Sequence, residues 1–295
     1  MGQMQCPRVR KGWCAMEFRD IDFGDLRLKK RLIKVAESLS EKPQNSINRA
    51  SEDWAAAKAA YRLFDNEKVE AKHILDIHRD RTLERIAKKS LILAIQDTSF
   101  LNFSNREIEG LGMIGGKSEL GNPKKGFILH TVLAVDPDAH EQGIPLGILN
   151  QKIWSRRKIR DPRKITGTEP KESMKWIEGM MATREAQPKV VHVADREGDI
   201  TAFMTQTVDK GQYFLIRAKV DRCLENEAGE EVEHLWSQLY NRPVLFQYEV
   251  DVNKDERRLL IYDSKKKRNT RRLIKIPARR AQVEVRMDRV QIKNQ

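Results

Sequence analysis

The sequence predicts a mixed α/β protein that begins with a helical unit and continues into a β-rich segment. Apolar residues recur at helical spacing from residue 20 to residue 88. Short apolar runs of strand length then alternate with helical segments up to about residue 220. Beyond that point apolar and polar residues alternate, with turn-like breaks between the runs. We therefore expect three domains, at residues 1–88, 89–220 and 221–295.

Three helices are expected in the first domain. Residues 25–42 have an apolar stripe and Asp25 at the N-cap position. An alanine-rich helix follows, with Ser51 expected as its N-cap, and a third helix spans residues 72–88. The first helix also has a basic face, made of Arg27, Lys30, Arg31 and Lys34. A solvated surface and a contact with phosphates both fit this face, and the pattern does not decide between them.

The second domain shows the signals of a sheet with helices on its faces. Its helices are expected from Glu169–Pro170, where a first-turn proline is tolerated, and over residues 198–211. Its strands are expected at residues 91–97, 127–136, 143–154, 189–195 and 212–219.

Two of these strands end in an aspartate, Asp97 and Asp195. Sites in open α/β sheets form at strand ends, and Mg²⁺ accepts one or two carboxylates there. Two such ions about 4 Å apart would stabilise both oxygens of a phosphoryl transfer. Either aspartate alone is more commonly a turn former or a helix cap, and the metal hypothesis leads because the two occur together in a basic chain. Glu197 and Asp199 are expected in the first turn of the next helix. His130 lies in the middle of a strand and is expected in the core, or behind the site residues, rather than as a catalyst.

The overall charge points to a polyanionic partner. The chain has 295 residues, and 56 Lys and Arg exceed 43 Asp and Glu, which gives a formal net charge of +13. Nucleic acid is favoured over an acidic membrane surface. The sequence has no run of eighteen apolar residues and no apolar segment of a secretory signal. Cys6, Cys14 and Cys223 form no C-x-x-C pair. We expect a cytoplasmic protein with no membrane partner.

Most of the basic excess lies near the end of the sequence. From Lys254 to Gln295 there are fifteen Lys and Arg against five Asp and Glu. The densest run, "SKKKRNTRR", covers residues 264–272. Such a run is usually a solvated loop, but the flanking strands also carry arginines. We therefore expect a basic sheet face in this segment.

Several stretches resemble one known family. They are "FGDLRLKKRL", "AAAKAAYRLFDNEKV", "AIQDTSF", "KGFILHTVLAV", "KESMKW", "VADREGDI" and "YFLIRAK". With these motifs in this order, the chain resembles the DDE transposases of bacterial insertion sequences, of the transposon-five type in the insertion-sequence-four family. The likeness covers residues 20–220 well. It covers residues 221–295 loosely, as the β-sheet that the family inserts before its last catalytic element.

The resemblance implies an RNase H-like fold, a Mg²⁺ or Mn²⁺ cofactor, and cleavage of double-stranded DNA at transposon terminal repeats followed by strand transfer. Asp97 and Asp195 would be the catalytic metal ligands. A bacterial, nucleoid-associated location is also implied. The residues expected to contact DNA are Arg27, Lys30 and Arg31 in the helical unit, Arg217 and Lys219 on a strand beside the site, and Lys124 and Lys125 in a loop.

The sequence departs from the family at its third carboxylate. Family members carry this Glu in the pattern Tyr-x2-Arg-x3-Glu-x6-Lys. No tyrosine after Asp195 begins such a pattern; they are Tyr213, Tyr240, Tyr248 and Tyr262. We therefore expect a C-terminally truncated or split transposase, inactive alone, with a full-length transposase or a separate C-terminal chain as a further partner. One alternative is a DNA-binding fragment that occupies transposon ends and inhibits a full-length enzyme. Another is a different RNase H-like nuclease with Asp199 as its third ligand.

Overall fold

The computed structural model describes residues 12–117, 122–140, 143–156, 172–263 and 268–293. The chain divides into two compact units, Met1–Lys219 and Val220–Gln295. The start of the helix expected from Glu169–Pro170 and the lysines at residues 265–267 lie outside the described residues. Within the described ranges, no helix combines the length and the apolar character that a membrane crossing requires.

The first unit begins with a cluster of helices. Leu28 and Leu32 pack with Leu63 in its core, as their helical spacing predicts. Cys14 joins the same core, so the helical cluster begins before residue 20, where the sequence pattern begins. The helices are α1 (Trp13–Glu17), α2 (Leu26–Glu41), α3 (Ile47–Ala50), α4 (Trp54–Phe64) and α5 (Ala71–Ile86).

Side-chain caps fix where two of these helices begin. The Asp25 carboxylate accepts a hydrogen bond from the Arg27 N–H at 2.8 Å, which confirms the N-cap expected for α2. The expected cap of α4 is wrong, since α4 begins three residues after Ser51. Asp53 caps α4 by accepting from the Ala56 N–H at 2.7 Å. The Ser51 hydroxyl instead donates to the carbonyl of Ile47 at 2.7 Å and closes α3.

A mixed sheet follows the helices. Its strands are β1 (Leu91–Asn102), β2 (Gly112–Lys117), β3 (Pro123–Asp136), β4 (Ile144–Trp154), β5 (Lys189–Ala194) and β6 (Tyr213–Ile216). β3 lies antiparallel between β1 and β4 and also pairs with β2. β5 runs parallel to β1, and β6 runs parallel to β5. The expected mixed α/β class is therefore confirmed. The sequence pattern missed β2, which is rich in glycine.

Helices pack on one face of this sheet. Ile86 of α5 packs against Ile92 of β1. The helices α6 (Met174–Met181) and α7 (Thr201–Asp209) cover the adjoining area, where Trp176 packs against Ala194 of β5. Successive strand residues point to opposite faces, and residues of the other face, such as Leu93, are half-buried.

A buried carboxylate connects α1, α5 and β4. Glu17 accepts hydrogen bonds from His78 Nδ1 at 2.6 Å and from Arg85 Nη1 at 2.7 Å. Arg85 Nε also donates to the carbonyl of Leu146 at 2.6 Å, and His78 Nε2 accepts from the Ile148 N–H at 2.9 Å. Burial alone raises the pKa of Glu17, but the hydrogen bonds from His78 and Arg85 outweigh it and lower the pKa to about 2.

The second unit contains strands that pair only in twos within its described part. The pairs are β7 (Cys223–Glu225) with β8 (Glu231–His234), β9 (Phe246–Val252) with β12 (Arg279–Val285), and β10 (Asp255–Asp263) with β11 (Arg268–Ile276). A short helix, α8 (Leu235–Tyr240), follows β8 and was not expected. The β-rich character is as predicted. The basic sheet face expected here falls mainly on the side chains of residues 257–273, which lie outside the described part of the chain.

We predict that Glu17→Gln lowers the free energy of unfolding by about 3 kcal/mol at pH 7, because it leaves Arg85 without its buried partner. The Glu17 pKa is depressed from 4.5 to about 2 on folding. The ionised Glu17 carboxylate therefore contributes its full share of the free energy of unfolding above pH 4.5, and this share is lost as pH falls toward 2. Urea unfolding at pH 7, 4 and 3 checks this, and the deficit of the variant should shrink with acidity.

The matched control is Glu52→Gln. The Glu52 side chain is 73% exposed and pairs with Lys34, so its loss should cost less than about 1 kcal/mol at any of these pH values. A Glu17→Gln deficit that stayed constant from pH 7 to pH 3 would contradict the assignment.

Candidate functional site

The parallel pairing of β1 with β5 brings Asp97 and Asp195 level with each other. The paired residues run from Leu91↔Lys189 to Ile95↔Val193. Each aspartate lies two residues beyond the last pair, so both keep the same register and both belong to the same face of the sheet. Both are exposed. The two carboxylates singled out in the sequence therefore lie on, or directly after, two strands that pair with each other.

Asp97 does not end its strand. β1 continues to Asn102, and Asp97 pairs with Thr131 of β3. The expected strand end at Asp97 is wrong because β3 extends back to Pro123 and supplies partners for the rest of β1. Asp97 is therefore neither a turn former nor a helix cap.

Asp195 directly follows Ala194, the last residue of β5. Its Oδ1 accepts a hydrogen bond from the Glu197 N–H at 2.9 Å and caps a short 3₁₀ helix, Arg196–Gly198. The turn is tight at Gly198, where an added Cβ would lie 2.5 Å from the Ala194 Cβ. The capping role considered for Asp195 is therefore present, and it engages one of the two carboxylate oxygens, Oδ1.

The two acids after Asp195 do not begin the next helix, since α7 starts at Thr201. Asp199 Oδ2 accepts a hydrogen bond from the Lys219 N–H at 2.6 Å and holds the segment that follows β6. Glu197 lies 3.1 Å from Lys175 Nζ. Among the described residues, no group of three or more His, Cys, Asp or Glu side chains is placed to hold a metal ion, so Asp199 gains no support as a third ligand.

Lys175 is a residue of this region that the sequence analysis missed. It lies on α6, is 8% exposed, and its ammonium group lies 5.5 Å from the centre of the Trp176 ring. A lysine directly before the buried Trp176, in "SMKWIE", was the available signal. Its charge is balanced by Glu197, which ties α6 to the turn after Asp195.

A buried chain of hydrogen bonds runs beneath the aspartates, on the helix-covered face. The Thr98 hydroxyl donates to His130 Nδ1 at 3.0 Å. His130 Nε2 donates to Gln96 Oε1 at 3.1 Å, and Gln96 Nε2 donates to His192 Nδ1 at 3.2 Å. His192 Nε2 then donates to Gln212 Oε1 at 2.9 Å. The chain crosses β3, β1 and β5.

Every donor in this chain points the same way. The Gln212 amide donates to the Thr183 hydroxyl at 3.0 Å, and that hydroxyl donates to the carbonyl of Met180 at 2.7 Å. Gln96 fixes both tautomers, since its oxygen requires a proton on His130 Nε2 and its NH₂ requires a bare His192 Nδ1.

Both histidines are held neutral. Burial lowers the pKa of His130 to about 4, and the nearby Lys175 adds to that effect. Burial also lowers the pKa of His192. The expectation that His130 belongs to the core is confirmed, since its ring is fully buried.

Of the two basic residues expected beside the carboxylates, Arg217 lies next to Asp195 and Lys219 bonds through its backbone to Asp199. The Arg217 N–H donates to the carbonyl of Ala194 at 3.2 Å, which places this residue level with Asp195. β6 ends at Ile216, so both basic residues follow the strand rather than lie on it, a correction to the expectation. Both are exposed.

Lys124 and Lys125 lie elsewhere. They belong to the start of β3, not to a loop as expected, and Lys125 pairs with Met113. Thr131, the partner of Asp97, is six residues further along β3, a distance of about 20 Å. The structure therefore does not bring these two lysines to the carboxylates.

The basic face of α2 is present as expected. Arg27 is 86% exposed and bonds to Asp25 through Nη2 at 2.9 Å. Lys30 and Arg31 line a groove whose opposite wall is the alanine-rich side of α4, around Ala56. The groove is therefore apolar inside and cationic on the α2 side.

Comparison with known proteins supports a DNA-binding role for this part. Residues 10–69 match the family model described as transposase DNA-binding. A solved structure titled "Crystal structure of the Mos1 Strand Transfer Complex" is 11% identical over 63% of this chain, with a TM-score of 0.24. The similarity spans 57% of the length of that chain. A TM-score this low carries no argument about the fold, and the family match covers the helical cluster alone.

We predict that Gln96→Leu lowers the free energy of unfolding by about 3 kcal/mol. The change removes the acceptor of His130 and the donor to His192 together, and both rings stay buried. Urea unfolding at pH 7 measures the loss. Gln151→Leu is the control, since Gln151 is half-buried and bonds only weakly to Thr131, at 3.4 Å. Equal losses in the two variants would show that the buried chain of hydrogen bonds contributes no more to the free energy of unfolding than the weak bond of Gln151.

Proposed function

We propose that this protein is a DDE-type transposase of the transposon-five type, with an RNase H-like sheet. The observation that carries the proposal is that Asp97 and Asp195 each lie two residues beyond the last residue pair of the parallel strands β1 and β5. The match of residues 10–69 to a transposase DNA-binding model supports DNA as the partner. The mixed order of the sheet, with β1 antiparallel to β3 and parallel to β5, supports the fold.

The donor set fits a hard divalent cation. We propose that Asp97 and Asp195 hold Mg²⁺ or Mn²⁺, since such ions take one or two carboxylates and fill the remaining positions with water and phosphate oxygens. A bound ion would supply charge neutralisation and an activated water or hydroxyl nucleophile. Arg217, level with Asp195, would hold a DNA phosphate by paired hydrogen bonds. The cap on Asp195 Oδ1 and the strand pairing of Asp97 would keep both carboxylates in place.

The number of carboxylates decides between a complete and an incomplete enzyme. The resemblance includes a third ligand, a Glu, and among the described residues no group of three or more His, Cys, Asp or Glu side chains is placed to hold a metal ion. We propose a form that does not cleave transposon ends by itself. A second candidate, which the match over residues 10–69 favours, is a protein that occupies these ends and inhibits an intact transposase. End cleavage of a supercoiled plasmid by this chain and Mg²⁺ would exclude both forms.

The binding function is tested by reversing the charge on α2. Lys30→Glu with Arg31→Glu should weaken binding to a terminal-repeat duplex at least tenfold. The slope of log K against log[salt] should become shallower by about 0.9 for each phosphate that the variant no longer neutralises. Fluorescence anisotropy at several salt concentrations measures both quantities.

The control variant is Lys88→Glu, which reverses the charge of an exposed lysine outside the matched residues. It should change affinity less than threefold. If Lys88→Glu weakened binding as much per charge as the α2 variant, general attraction rather than α2 would explain the affinity.

The metal site is tested without reference to activity. Mn²⁺ binding, followed by electron paramagnetic resonance, should weaken at least tenfold in Asp97→Asn and in Asp195→Asn, because each change removes one of two anionic ligands. Asp209→Asn is the control, since Asp209 is exposed at the end of α7. Unchanged Mn²⁺ affinity in both site variants would refute the metal proposal.

A further inference from the structure

Lys175 is buried against the turn that follows Asp195, where its charge is costly. Its side chain is 9% exposed, and its ammonium group lies 3.1 Å from Glu197 Oε2. The Glu197 side chain is 51% exposed. A buried ammonium group loses its hydration, and a partner that stays half in water returns only part of that loss. Stability alone would favour an apolar residue at this position, so the lysine calls for another explanation.

The partner of this lysine is also bonded to Asp195. Glu197 is two residues after Asp195, and its N–H donates to Asp195 Oδ1 at 2.9 Å. The Glu197 carboxylate pairs with Lys175 on α6. Glu197 therefore connects the Asp195 carboxylate, through its backbone, with α6, through its side chain. A displacement of Glu197 would move the hydrogen bond that orients the Asp195 carboxylate.

The helix behind this ion pair is firmly packed. Trp176, the residue after Lys175, is 1% exposed and belongs to the same apolar cluster as Ala194 and Phe203. The turn packs against the same ring, since a Cβ added at Gly198 would lie 3.3 Å from Trp176 Cζ3. Lys175 is therefore anchored on a well-packed element, as a residue that positions its neighbour must be.

The charge of Lys175 makes the direction of its effect on metal binding informative. Burial and then Lys175 lower the pKa of His130 to about 4, whereas Asp97 acts to raise it, so the lysine and Asp97 act on the same ring. A cation in this neighbourhood repels a divalent ion. Removal of the Lys175 charge should therefore strengthen metal binding if charge alone matters, and weaken it if the lysine holds a ligand in place.

We propose that Lys175 is a positioning residue of the metal site, which holds the Asp195 carboxylate in its orientation through Glu197. The inference rests on the proposed function, because the metal site is itself proposed. Asp199 fixes the other end of the turn, since its Oδ2 accepts from the Lys219 N–H at 2.6 Å. The two anchors restrain the turn on both sides of Glu197, and loss of such supporting contacts commonly lowers metal affinity by about 10–100-fold.

Three variants of the full chain test the proposal. Lys175→Met removes the lysine, Glu197→Gln removes its partner, and the control Lys152→Met removes another lysine that acts on the pKa of His130. Lys152 pairs with Glu178 of α6, at 2.5 Å, rather than with the turn. Lys175→Met should weaken Mn²⁺ binding about tenfold in electron paramagnetic resonance, although it removes a positive charge. Lys152→Met should leave the affinity within about twofold of the unaltered chain, or strengthen it.

A measurement without metal separates position from charge. The Glu197 N–H is protected by its bond to Asp195 Oδ1. Hydrogen exchange of residues 196–199, followed by mass spectrometry, should become about tenfold faster in Lys175→Met and in Glu197→Gln, and stay unchanged in Lys152→Met. Glu197→Gln alters an exposed side chain, and it carries both measurements if circular dichroism shows that Lys175→Met does not fold.

The outcomes separate this inference from the metal site. Unchanged or stronger Mn²⁺ binding in Lys175→Met overturns the role of Lys175 and leaves Asp97 and Asp195 as the proposed ligands. Unchanged hydrogen exchange in Lys175→Met and Glu197→Gln has the same effect, because the ion pair would then not hold the turn. Failure of the unaltered chain to bind Mn²⁺ overturns the metal site and, with it, this role of Lys175.

Discussion

The parallel register between β1 and β5 is the constraint on which the proposed site depends. Strand residues alternate between faces, so a shift of one residue would move Asp195 away from the face of Asp97. Nothing in the two carboxylates prevents such a shift, since they repel each other. The register must be fixed by other contacts, and these lie on the opposite face of the same strands.

The hydrogen-bond chain through Gln96 meets this need. Gln96 of β1 contacts His130 of β3 and His192 of β5, so one side chain ties three strands. A shift of β5 against β1 would separate Gln96 from His192 and leave a buried donor and a buried acceptor unpaired, at a cost of about 1–3 kcal/mol for each group. An apolar core of equal volume would stabilise the sheet as well, but it would discriminate less between registers. The neutral state of both histidines suits this role. A second ring proton would turn the accepting nitrogen into a donor that faces the Thr98 hydroxyl in His130 or the Gln96 NH₂ in His192.

The sequence predicts the elements of this fold better than the contacts between them. The Asp25 cap and the stripe of α2 depend on neighbours in sequence, and both were predicted correctly. The end of β1 was not, because the partner that extends the strand past Asp97 is β3, some thirty residues later. Ser51 and Asp53 are both good N-caps by type, and the choice between them depends on the backbone path of α3.

The residues of the candidate site likewise include some that the sequence reveals and some that only tertiary contacts define. The two aspartates were visible as acids after apolar runs, and their shared register follows from the parallel pairing. Lys175 was hidden because its partner, Glu197, is distant along the chain. The contact of Glu17 with Arg85 was also hidden, although it joins the helical cluster to the sheet. Contacts of this kind depend on tertiary geometry that no local pattern contains.

Arg217 is the one proposed DNA contact whose backbone is placed beside Asp195, and Lys124 and Lys125 lie well away from it. Three of the cations proposed to hold DNA, Arg27, Lys30 and Arg31, are on α2. A site whose own charges are carboxylates repels the phosphate backbone until cations intervene, so the attraction that holds DNA has to come from other elements. Binding energy from remote contacts can position a substrate at a reacting centre that binds it weakly. The net charge of +13 therefore matters less than the fact that elements other than the strands of Asp97 and Asp195 carry most of it.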